Sequence, residues 1–65
     1  MTYPYLPEAW LDRACTDLGF EDEHTIVIAR VVELHHEGHL SLVEAETLCR
    51  ATYFKAIGAY HMVED

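Results

Sequence analysis

Residues 34–50, LHHEGHLSLVEAETLCR, gather the side chains best suited to chemistry. They include His35, His36 and His39, three of the five histidines, and Cys49, one of the two cysteines. Imidazole nitrogen and thiolate sulfur are the usual ligands of zinc. The four residues, with Glu37, are therefore candidates for a small His/Cys metal site. Their spacing argues the other way. There is no C-x-x-C, and HHEGH places Gly and His directly after the Glu, so H-E-x-x-H is absent. Gly38 should end a helix before His39, which removes the one-face argument for His35 and His39. A structural role accounts for the same residues. His35 falls in an apolar arc and should be partly buried with a hydrogen-bond partner, and the histidines suit the negative end of a helix. No metal and no cofactor are expected.

Catalysis is tested on the same stretch. Cys49 beside a histidine could form a nucleophile pair, but Cys49 falls on a packing face. The chain has no glycine-rich phosphate loop, no G-x-S-x-G and no paired carboxylates in an apolar setting. A 65-residue chain also has little volume in which to enclose a substrate. The expectation is a protein that is not an enzyme.

Three elements must position these residues, and their ends are written in cap chemistry. A first helix should span about 7–18. Pro7 suits the first helical position, Glu8 favours the positive helix start, and Gly19 can close the end. Leu11, Ala14, Cys15 and Leu18 share its face, with Phe20 expected to fold back near Cys15. A second helix should span about 23–37, with Asp22 as N-cap and Gly38 as the stop. The β-branched piece TIVIARVV could be a strand, but it lacks polar–apolar alternation. Arg30, Glu33 and Glu37 lie along one line, opposite Val27, Ile28, Val31, Val32, Leu34 and His35. Ile26 falls on the charged side.

A third helix should span about 42–62, because Ser41-x-x-Glu44 is a capping box. Its packing face should hold Leu42, Ala45, Leu48, Cys49, Thr52, Ala56, Ala59 and Val63, edged by Tyr53, Ile57 and Tyr60. Small residues there allow a second helix close approach. Val43, Arg50, Phe54 and His61 line the opposite side, with Met62 nearby. The expected fold is all-α, a single domain over residues 1–65. A short first helix packs on an antiparallel hairpin of the second and third.

The bulk composition constrains partners. Twelve acidic residues face four basic ones, Arg13, Arg30, Arg50 and Lys55, for a net charge of −8. Such a chain is repelled by nucleic acid and anionic membrane and attracted to basic protein surfaces. Two cysteines are too few for a disulfide framework. The start MTYPYLPEAW has no basic region before an apolar run, so a cytoplasmic location is expected. A core this small makes a homodimer an expected remedy.

The segment EGHLSLVEAETLCRATYFKAI, residues 37–57, resembles helix-turn-helix segments of small bacterial and phage regulators. That resemblance implies a DNA-binding transcriptional regulator as the alternative function. It lacks the small turn residue between the two helices, and the segment reads better as one continuous helix. Only Arg50 and Lys55 could meet phosphates. In size, acidity and want of a catalytic motif the chain resembles the small phage-encoded inhibitors of host machinery, such as anti-CRISPR and anti-regulator proteins. This implies an inhibitor or adaptor that blocks a basic or regulatory protein surface, in the host cytoplasm if phage-encoded. Two contact surfaces are expected. The apolar one comprises Ile26, Val43, Tyr53, Phe54, Tyr60 and Met62. The acidic one comprises Asp17, Glu21, Asp22 and Glu23 at the first corner, with Glu33 and Glu37 along the second helix.

Overall fold

Each helix begins and ends where local chemistry directs. A computed structural model describes residues 6–63, with side chains described through Gly58. Helix α1 (Pro7–Asp17) starts with Pro7 in its first turn, where a missing N–H costs nothing. Helix α2 (Glu23–His36) is capped by Asp22, whose carboxylate accepts the His24 backbone N–H at 2.8 Å. Helix α3 (Leu42–Val63) opens with the complete capping box. The Glu44 N–H donates to Ser41 Oγ at 3.1 Å, and the Ser41 N–H donates to Glu44 Oε1 at 3.0 Å.

The corner between α2 and α3 is fixed by a Schellman motif. Gly38 takes φ +87°, its N–H donates to His35 O, and the His39 N–H donates to Leu34 O. His35 adds a further tie, its Nδ1 donating to Leu40 O at 3.0 Å. The expected half-buried histidine with a hydrogen-bond partner is thus found, and the partner is the corner itself. Gly19 takes φ +96° after α1. Phe20 does not fold back near Cys15 but stands 80% exposed.

The architecture is three mutually packed helices, with α2 and α3 forming the closest pair. Ala45, Cys49 and Ala56 are buried on α3, and Cys49 Sγ lies 4.0 Å from Ile28 O on α2. Side chains this small bring the two helix backbones together. Ile28, Val31 and Val32 supply the α2 side, and Thr25 is buried with its hydroxyl 3.5 Å from Ala14 O.

Two expected faces are rotated. On α1 the fully buried residues are Pro7, Trp10 and Ala14, while Leu11 and Leu18 pack at the margin and Cys15 is half-buried. On α3 the buried line runs through Ala45, Glu46, Cys49, Tyr53 and Ala56, and Leu42 and Leu48 are exposed. Both rotations have one cause. The Trp10 indole is the largest side chain in the core and packs against Tyr53, the rings tilted at 47° with centroids 5.5 Å apart. Burying it turns α3 towards Tyr53 and away from Leu48. Val27, expected in the α2 arc, is also exposed.

Candidate functional site

The histidine-rich stretch disperses in three dimensions. His35 ties the corner, His36 Nε2 pairs with Glu8 on α1, and His39 Nε2 lies 3.8 Å from Glu37. Cys49 is buried between α2 and α3. Among the described residues no three His, Cys, Asp or Glu side chains converge to hold a metal ion. Burial pushes the Cys49 thiol up to about 11, with the Glu46 and Glu8 carboxylates adding to the effect. At neutral pH it is a protonated thiol and not a nucleophile.

The polar centre of the molecule is one that sequence reasoning missed. Glu46 is 2% exposed, on the buried line of α3. The Trp10 indole N–H donates to its Oε2 at 2.9 Å, and Arg50 Nη2 lies 3.8 Å from Oε1. Beside it, the Tyr53 hydroxyl donates to Asp17. The Arg13 guanidinium covers both rings, 5.8 Å from the Trp10 centroid and 5.4 Å from that of Tyr53. Burial, and then the bond to Asp17, raise the Tyr53 hydroxyl above its ordinary value. Every group here has an assigned partner, so the cluster joins α1 to α3. Pro7, Trp10 and Ala14 stand at i, i+3 and i+7, a spacing that could have disclosed the Trp10 face. Nothing in the spacing marks Glu46. The one hint is that a buried indole N–H needs an acceptor.

This changes both expected surfaces. Tyr53 is 2% exposed and belongs to the core, which corrects its assignment to the apolar contact face. Ile26 and Val43 are well exposed, and Phe54 is 51% exposed with one edge on Trp10 and Tyr53. Tyr60 and Met62 lie outside the residues whose side chains are described. Leu40, Val43, Glu44, Thr47 and Leu48 line a shallow, largely apolar groove of about 350 Å³ on the outer side of α3. Of the acidic set, Asp17 holds Tyr53, Asp22 caps α2 and Glu33 pairs with Arg30. Glu21, Glu23 and Glu37 stand exposed.

No family model, curated protein or solved structure matches this chain.

Of the segment that resembles a helix-turn-helix, residues 42–57 lie within one unbroken helix, Leu42–Val63. Of its two cations, Arg50 is drawn to the buried Glu46. No helix among the described residues is long and apolar enough to cross a membrane.

Proposed function

We propose that this chain is a small acidic protein-binding module, an inhibitor or adaptor that acts by covering a basic surface on a host protein. The supporting observation is the distribution of apolar bulk. Leu6, Phe20, Ile26, Val27, Leu42, Val43, Leu48 and Phe54 are all exposed, against a core built largely of Ala, Val and Cys around one Trp and one Tyr. Aromatic and aliphatic side chains at that exposure are the material of contact surfaces. The net charge of −8, with Glu21 and Glu23 exposed at the first corner, favours encounter with a cationic partner. In this reading Ile26 and the corner acids form the partner face, and contact is steric and electrostatic.

Affinity capture from host lysate tests it. The expected result is one stoichiometric protein with a basic surface, released by a moderate salt step. Ile26→Asp, or Glu21→Lys with Glu23→Lys, should abolish capture while the helical circular dichroism stays unchanged. Capture that survives both variants would overturn this assignment of the face.

A further inference from the structure

The outer side of α3 carries a pattern that is complementary to itself. Val43, Glu44, Thr47 and Leu48 line the groove near its start, and on the same side Ala51 follows two turns on and Phe54 and Lys55 three turns on. The groove is apolar with one carboxylate, Glu44. The other end presents one half-exposed ring, Phe54, and one exposed ammonium, Lys55. Glu44 and Lys55 are equidistant from a midpoint between Cys49 and Arg50. Leu48 and Ala51 share that midpoint.

From this we infer that the groove is filled by Phe54 and Lys55 of a second copy of the chain, through antiparallel pairing of α3 with itself. A twofold axis at the midpoint makes every contact twice, as an isologous interface requires. The register that seats Lys55 of each copy on Glu44 of the other sets Leu48 of each against the small Ala51 of the other. It brings each Phe54 to the Val43–Thr47 stretch of the groove. Ala51 lets the helices approach, and two Leu and two Phe side chains leave water together. Charge selects the register. A parallel pairing would set Glu44 against Glu44 and Lys55 against Lys55. The two chains repel overall, each at −8, and the paired Lys55–Glu44 contacts bring opposite charges together locally. The inference rests on the protein-binding reading only in taking exposed apolar groups on α3 as contact surface. The partner face around Ile26 lies on another helix.

Sedimentation velocity on the full chain over a concentration series tests it without any partner present. The wild type should approach twice its 7.5 kDa mass. Lys55→Glu sets like charges together twice and should weaken the dimer about tenfold. Adding Glu44→Lys to that variant should restore it to within about threefold of wild type. Glu44→Gln retains a capping-box residue, so a weaker dimer in that variant would reflect lost charge and not a frayed helix. Leu48→Asp should give a monomer with unchanged helical content. A wild type that stays monomeric at high concentration would overturn the inference. So would a dimer indifferent to Leu48→Asp, or a Lys55→Glu variant that associates as tightly as the wild type. Capture of a partner by a monomeric Leu48→Asp chain would leave the protein-binding reading standing on its own.

Discussion

Replacing Glu46 tests the account of how α1 is held. In Glu46→Ala the Trp10 N–H loses its carboxylate acceptor in a site closed to water. Removing that acceptor from a buried donor costs about 1–3 kcal/mol. The one methylene withdrawn from the core adds about 1 kcal/mol. The sum, about 2–4 kcal/mol, is comparable with the ~3–5 kcal/mol that a single core of this size supplies. Glu46→Gln keeps an acceptor and loses the charge assistance, so it should cost about 1 kcal/mol. Urea unfolding followed by fluorescence is well suited, because Trp10 is the only tryptophan and sits at the affected bond. The Ala variant should lose most of its folded baseline or show a much lower midpoint. The Gln variant should lie between Ala and wild type, with slope unchanged. If Ala falls within about 0.5 kcal/mol of wild type, or Gln is as damaging as Ala, the buried bond is not what secures α1.

Thiol labelling at pH 8 should modify half-buried Cys15 while Cys49 stays protected until unfolding, as mass spectrometry of the native protein would read. The raised Cys49 value also gives stability a sign at high pH. That contribution is intact below the ordinary value of 9.0 and is lost as pH rises towards about 11, so Cys49→Ala should flatten the alkaline limb of an unfolding series. Glu8 is held below its ordinary 4.5, chiefly by its hydrogen bond to His36. A lowered carboxylate stabilises the fold above its unfolded value and stops doing so as pH falls through the folded one. Glu8→Gln should therefore weaken the dependence on pH below about 4.5, by a small amount because the pair is half exposed. At Gly58 an added Cβ meets nothing within 4 Å, so Gly58→Ala should raise stability by about 0.5–1 kcal/mol in thermal or urea unfolding.

The helix ends were readable because caps are local. Pro7, Asp22, Gly38 and the Ser41–Glu44 box each act within a few residues, and each is found in its expected role. The faces were less readable because they depend on distant pairs. Trp10 meets Glu46 across 36 residues and packs against Tyr53, contacts that lie outside the reach of any local pattern. Helix α3 is apolar on most sides, so its periodicity does not single out one stripe. The same ambiguity concealed the groove. Periodicity alone assigns Leu48 to the packing face, and only its exposure reveals an open face beside Val43.

Both corners have a handedness that their residues lack. Gly19 and Gly38 hold backbone angles natural to a mirror-image amino acid, and neither has a neighbour within 4 Å of where a side chain would stand. An L-residue would be strained at either position, whereas D-alanine would suit the angle. A chemically synthesised chain with D-alanine at the two positions would have fewer unfolded conformations available. The turns would then be set by stereochemistry as well as by the hydrogen bonds that now close them.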